Sequence, residues 1–302
     1  MPAGETEQHR DFRTVGGMWT DGLEQWFAAE GRHHLPWRLT ADPWPVLVSE
    51  VMLQQTSVSR VMPRWHRFLE RWPTAAECAE ESLDEVLREW QGLGYPRRAR
   101  ALWLLAALVT AHGWPRDEAG LRALPGIGVY TARALLAFSE LGTKATEPPR
   151  DVNLGRVAAR AALGCEPHQA TPATLDGVLR DGRPDTMSMR EYAYALFDVG
   201  ATHCHSRPIC DHCPLRGACA WRARGVDAIA RMSPRRQAPY HGSLRQLRGA
   251  VLAEALRSPE ATIAQLAAAV RETPGATPER VRAALDGLVA DGLVAGETSQ
   301  QR

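Results

Sequence analysis

An all-α fold is predicted for this chain by three features of its 302 residues. Apolar residues recur at helical spacing almost throughout, no convincing period-2 strand appears before the C-terminus, and helix-start signals precede several of the repeats. The repeats fall at 18–29, 43–55, 57–71, 82–91, 97–112, 128–140, 152–163, 174–180 and 187–200. Asp42 before Pro43 suits an N-cap followed by proline at the first helical position, and "SLDE" at 82–85 has the form of a capping box. Beyond a cysteine-rich stretch, residues 223–243 are rich in Arg, Pro and Gly and read as a linker. Helices expected at about 244–257, 262–271 and 277–289 then precede "GLVAGETSQ", a possible strand of a truncated wing. The outline over 244–302 is that of a small winged-helix-like unit; a helical cap packed on the main body is the other reading.

A chain of this length has room for about two domains. It shows no apolar run of about 18 residues and no leader-like start, so a soluble, cytoplasmic protein is expected. Net charge is +1, but the charge is unevenly placed. Residues 201–250 hold nine arginines against two aspartates, and "RRAR" at 97–100 adds a second basic cluster. Such patches suit a polyanion as well as a solvated face. Lys144 is the only lysine, which leaves Schiff-base chemistry a single candidate amine.

Three segments carry candidate chemistry. In "VLVSEVMLQQTS" (46–57), Val46, Leu47, Leu53 and Gln54 lie at helical spacings around Glu50, aiming a carboxylate where an apolar side chain would normally go. Burying a charged Glu costs several kcal/mol unless it is paired or protonated, so the placement asks for a function. In "LPGIGVYTARALLAF" (124–138), Pro-Gly-x-Gly precedes a helix, a device that brings free N–H groups and a partial positive charge towards a phosphate. Alone, a G-x-G is often only a tight turn. In "CHSRPICDHCPLRGAC", Cys204, Cys210, Cys213 and Cys219 have C-x5-C-x2-C-x5-C spacing. That suits a metal centre wrapped by one segment, and thiolates serve iron–sulfur and zinc alike. Cys78 and Cys165 stand apart and are expected to pack as small hydrophobes.

Together these pieces resemble the helix-hairpin-helix glycosylases with an iron–sulfur loop, and within them the MutY-type adenine DNA glycosylases. "LPWR" (35–38), "SEVMLQQT" (49–56), "GLGY" (92–95), "LPGIGVYTA" (124–132), "DVNLGRV" (151–157) and the four cysteines occur in family order over about residues 18–222. The resemblance implies a core at 1–222 with two helical lobes and DNA across the cleft. One lobe has six helices at about 40–140; the other joins about 10–39 to 141–222 and carries a [4Fe–4S] cluster, with zinc as the alternative. It implies that Glu50 is the acid that protonates the purine and Asp151 the carboxylate that stabilises the sugar cation. Asp151 also opens a helix, where N–H groups are expected to hold it ionised. By the same resemblance Gln54, Gln55 and Thr56 enter the duplex, and Leu93 and Tyr95 belong to the segment beside the oxidised guanine. Arg38 and Asn153 occupy adenine-pocket and water-orienting positions, and Gly126 and Gly128 bind phosphate. Tyr130 sits where bifunctional relatives carry a catalytic lysine, so a monofunctional enzyme is expected. The expected partner is double-stranded DNA containing mispaired adenine, bound by a nucleoid-associated monomer without membrane contact.

The chain departs from the family in three places. Its first cysteine loop is one residue short, Tyr194 replaces a Glu or Gln near the adenine, and the Nudix-like domain of long members does not follow residue 222. Two rival readings remain from the sequence: a glycosylase of the same fold for another mismatched or damaged base, and a non-catalytic DNA-binding module.

Overall fold

The computed structural model describes residues 18–142, 147–225 and 239–294. Among them every regular element is helical. In chain order these are α1 (Leu23–Glu30), a short turn of helix at Pro36–Arg38, α2 (Pro43–Leu53), α3 (Val58–Arg71), α4 (Ala75–Glu80), α5 (Leu83–Trp90), α6 (Arg97–His112), α7 (Glu118–Arg122) and α8 (Val129–Phe138). There follow α9 (Val152–Ala158), short turns of helix at Ala159–Leu163 and Pro167–Gln169, α10 (Pro172–Asp181), α11 (Met189–Thr202), α12 (Ala220–Ala223), α13 (Leu244–Arg257), α14 (Ile263–Ala269) and α15 (Pro278–Ala290). No helix among the described residues is long and apolar enough to cross a membrane.

The chain divides into two compact units. The first comprises residues 1–43, 116–119 and 128–230; the second comprises 44–115, 120–127 and 231–302. Helix α8 packs within the first unit, whereas the lobe expected from the sequence ran to about residue 140. Trp19, Leu23, Phe138, Leu154, Tyr192 and Leu196 are fully buried in the first unit. In the second, Trp44, Phe68, Trp72 and Trp90 form an aromatic core, with Phe68 against Trp72 at 4.8 Å between ring centroids. The Trp44 indole N–H is satisfied by the Trp72 carbonyl at 3.0 Å, as a buried indole requires.

The tail helices α13, α14 and α15 belong to the second unit. Arg88 of α5 donates to the Leu256 carbonyl at 2.7 Å, and Arg100 lies against Gly292. The proposed wing strand, 292–300, falls mostly at 295–300, outside the described residues, as does Lys144. One start signal needs correction. Ser82 does accept from the Glu85 N–H, but the Glu85 carboxylate turns away to Arg71 and Arg88 instead of closing the box. Two arginines within reach offer a charge-assisted partner, stronger than the neutral Ser82 N–H. Closed boxes occur where the sequence reading named none, at Thr74/Glu77, Ser188/Glu191 and Thr262/Gln265.

Candidate active site

Within the second unit, Glu50 lies on α2 and is 6% exposed, beside the fully buried Val46 and Leu47 one turn earlier. Helix α2 then stops at Leu53. Gln54, Gln55 and Thr56 form a turn in which Thr56 N–H donates to the Leu53 carbonyl at 3.2 Å. Gln55 adopts φ 56°, a left-handed conformation that costs roughly 1–2 kcal/mol for a residue with a side chain. The same strain recurs after Gly92 and Gly94, at Tyr95, where φ is 48°. Leu93 is buried and anchors this second loop, while Tyr95 is 41% exposed. The two strained residues meet, the Tyr95 hydroxyl donating to Gln55 Oε1 at 2.7 Å.

The basic cluster "RRAR" resolves into unlike roles. Arg98 is half-buried against Trp90 and Tyr95, its guanidinium carbon 5.7 and 5.2 Å from the two ring centroids. Its four Nη protons all go to carbonyls of the two loops. Burial lowers its basicity from the ordinary arginine value. Arg97 is largely exposed and ion-paired with Asp291 of the tail. Below them lies a cavity of about 290 Å³ lined by Val51, Gln54, Arg98, Leu105, Gly126 and Ile127 among others. Gly126 has φ 76°, and a Cβ there would come 2.8 Å from the Ala101 side chain, so glycine is required twice over.

Within the first unit, Gly128 caps α8 with nothing within 4 Å of where a Cβ would stand, leaving its backbone open to approach. Tyr130 is half-buried in the first turn of α8, edge-on to Phe197 at 6.5 Å. Asp151 caps α9: its Oδ1 accepts from the N–H groups of Asn153 and Leu154, both at 2.8 Å. Its Oδ2 accepts from Asn153 Nδ2 at 2.7 Å. Asn153 is oriented in turn by Arg156, which donates to its Oδ1 at 2.8 Å and to the carbonyls of Gly200 and Cys204. The N-cap is as expected, and its hydrogen bonds work against burial. Burial raises the Asp151 carboxyl above the ordinary range and outweighs the hydrogen bonds and the Arg156 charge that pull it down.

Arg38 also differs from an open adenine contact. Its side chain is 6% exposed and grips Asp198 through two hydrogen bonds of 2.8 Å, while its guanidinium stacks 4.3 Å from the Tyr194 ring centroid. Tyr194 stacks on Phe138 at 4.3 Å. Asp198 also accepts from the Arg32 backbone and side chain. Burial alone would raise its carboxyl, but the two arginines together hold it below the usual range. Neither Asp198 nor Arg98 was singled out from the sequence, because each acts through a partner distant in the chain. Their one legible trace is the excess of arginine over lysine, since only the planar guanidinium forks onto two acceptors.

The four cysteines follow α11 on one half-buried segment, and none forms a disulfide. Burial, with the charge that neighbouring thiolates would add, raises Cys210, Cys219 and Cys213, the last to about 11. Arg160, 4% exposed, places Nη1 3.7 Å from Cys204 Sγ. Four soft sulfur donors on one segment match a thiolate-held centre in kind. As they stand, no three His, Cys, Asp or Glu side chains among the described residues converge tightly enough to hold a metal ion. Cys78 is wholly buried, its thiol pushed up to about 12 by desolvation, and packs as an inert apolar group.

Known proteins share this architecture. A family model described as "HhH-GPD superfamily base excision DNA repair protein" matches residues 48–176. Among solved structures, a thermostable thymine-DNA glycosylase superposes with a TM-score of 0.59 at 22% identity, over 68% of this chain and 95% of that one, a likeness of fold alone. The adenine DNA glycosylase of Mycolicibacterium smegmatis is 42% identical over 281 residues, covering 90% of this chain and 91% of that protein. That of Mycobacterium tuberculosis is 39% identical over 283 residues, covering 90% and 88%. The fold and the glycine hairpin define a helix-hairpin-helix protein of base-excision DNA repair. Within that superfamily, the chain belongs to the adenine DNA glycosylase family.

Proposed function

We propose that the protein is a monofunctional glycosylase that hydrolyses the N-glycosidic bond of adenine mispaired with 8-oxoguanine or guanine. The observation that carries this reading is the near-complete burial of Glu50, on a chain 42% identical to an adenine DNA glycosylase over 90% of its length. Adenine is a poor leaving group until N7 is protonated. A carboxyl removed from water favours its neutral form and can deliver that proton, worth typically about 10²–10⁴ in rate. As the bond breaks, positive charge develops on the sugar. An ionised Asp151 stabilises it; a unit charge pair about 4 Å apart is worth roughly 4 kcal/mol at an effective dielectric of about 20. Asn153, held between Asp151 and Arg156, orients the attacking water. The two-carboxylate logic is that of glycoside hydrolysis.

The purine N7 and the sugar are reached only by an extruded nucleotide. Gln54, Gln55, Thr56 and Tyr95 enter the duplex and hold the opposite base, and the turn of Gly126 and Gly128, with the open backbone at Gly128, takes phosphate. Arg38, committed to Asp198, forms a wall of the adenine pocket together with Tyr194. The four cysteines hold a [4Fe–4S] cluster, with zinc as the alternative, and the bound group would supply a rigid loop. Iron is distinguished from zinc by the visible absorbance of the purified protein. With Tyr130 in place of a lysine, no Schiff base forms and an abasic site is the product.

Incubation with duplexes carrying A opposite 8-oxoguanine, G or T, followed by alkaline cleavage, tests the proposal. Release from the first two is expected; release from none would refute it. A DNA adduct trapped by borohydride would refute the monofunctional assignment alone.

A further inference from the structure

We infer that Arg98 is a positioning residue which locks the Gln54–Gln55 turn to the Tyr95 loop, so that both present one rigid probe to the duplex; this rests on the function proposed above. Arg98 Nη1 donates to the carbonyls of Val51 and Gln54 at 2.7 and 2.6 Å, at the end of the helix that bears Glu50. Its Nη2 donates to the carbonyls of Leu93 and Gly94, both at 3.1 Å, in the loop that bears Tyr95. The Val51 carbonyl is one of those a helix C-terminus leaves without an intrahelical partner, and a cation is the favoured cap there. All four Nη protons are used, two on each segment, in a planar fork that an ammonium group cannot copy. Trp90 adds a second donor to Gly94, its indole N–H lying 3.1 Å from the same carbonyl.

Without Arg98 the two left-handed residues lose their common support and keep the Tyr95–Gln55 hydrogen bond. A misplacement of about 1 Å in such a constellation costs about 100-fold in rate. The guanidinium is covered by Trp90 and Tyr95 and occupied by carbonyls, so it acts through the two loops and not on DNA directly.

The test compares wild type with Arg98→Ala, Arg98→Lys, Tyr95→Ala and the Arg98→Ala/Tyr95→Ala double variant. Three quantities are read: single-turnover adenine release opposite 8-oxoguanine, affinity for fully paired duplex, and unstacking of a 2-aminopurine placed beside the lesion. Arg98→Ala is expected to lower the single-turnover rate about 100-fold and to abolish the unstacking signal, with affinity for paired DNA unchanged. Arg98→Lys should fall between Arg98→Ala and wild type, and the double variant should be no worse than the poorer single. Arg98→Lys is the readout should Arg98→Ala not fold. Additive losses, a wild-type rate in Arg98→Lys, or equal loss of rate and paired-DNA affinity would overturn the inference. If wild type unstacks the probe without releasing adenine while the Arg98 variants do not unstack it, the proposed function falls and the positioning role stands.

Discussion

The Tyr95 hydroxyl and the Gln55 side-chain carbonyl are joined by a 2.7 Å hydrogen bond, and these are the only two non-glycine residues with positive φ among those described. Strain of this kind persists where surrounding structure enforces it and concentrates at functional sites. Gln55→Gly should therefore leave the melting temperature unchanged or raised, since glycine accepts φ 56° without a steric cost. Single-turnover adenine release should fall at the same time, the expected trade between stability and activity. Tyr95→Phe keeps the ring and loses only the hydrogen bond, about 0.5–1.5 kcal/mol, and should be milder than Tyr95→Ala. Thermal melts and excision rates measured on the same preparations check both.

Glu50→Gln retains shape and burial while removing the transferable proton. The rate of adenine release should fall by about 10²–10⁴, with affinity for mispaired duplex retained. An unchanged rate in that variant would remove Glu50 from the chemistry.

Asp151 gives the fold and the reaction opposite interests. Its carboxyl is raised by burial, so the ionised form costs the folded state free energy at every pH above the unfolded carboxyl's value. That cost disappears as pH falls and the group protonates. Asp151→Asn keeps an N-cap and removes the buried charge, so it should be as stable as wild type or more stable at neutral pH. Excision should drop by about 10³, the equivalent of the roughly 4 kcal/mol assigned to the charge pair. Because Asn153 hydrogen bonds hold the carboxyl down, Asn153→Ala should move the acid limb of the rate profile to higher pH.

The helical plan was legible because long amphipathic repeats and their caps are local signals. The repeats at 57–71, 97–112 and 187–200 correspond to α3, α6 and α11 within a residue or two. Short helices such as α4 and α7 were missed, since five or six residues hold too little periodicity to register. Glu50 stood out as a carboxylate on an apolar face, and the cysteines by spacing. Asp198 and Arg98 did not. Asp198 meets Arg38 across 160 positions, and Arg98 caps a helix 44 positions upstream, relations that no local pattern encodes. Asp151 is legible only in part for a related reason. The N-cap is visible in the sequence, but the burial that outweighs it is not.

Asp198 is the electrostatic anchor of the first unit. Removing it leaves Arg38 buried without its partner, a change that typically costs about 3–5 kcal/mol. Asp198→Ala should therefore lower the melting temperature by many degrees. Since the arginines hold the carboxyl below its unfolded value, their stabilisation is present above the ordinary Asp range and is lost as pH falls through the folded value. Acid unfolding of the wild type should include this loss, and an Asp198→Asn variant should show less acid sensitivity.

Asp291 brings the tail to the basic cluster beside Tyr95. It pairs with exposed Arg97 of α6 and, at 2.5 Å, with Arg248 of α13. Burial would raise its carboxyl, but hydrogen bonds and charge from both arginines pull it below the usual range, so the contact persists at neutral pH and weakens on acidification. Arg97 cannot neutralise a phosphate fully while Asp291 neutralises it. Asp291→Ala should release Arg97 to the DNA backbone, which raises affinity for undamaged duplex and steepens the dependence of log K on log salt by about 0.9. An Asp291→Ala/Arg97→Ala double variant should return the slope to its original value or below. Fluorescence anisotropy titrations over a range of salt concentrations measure both. A slope unmoved by Asp291→Ala would confine the ion pair to fastening the tail, and the variant would then show only a lower melting temperature.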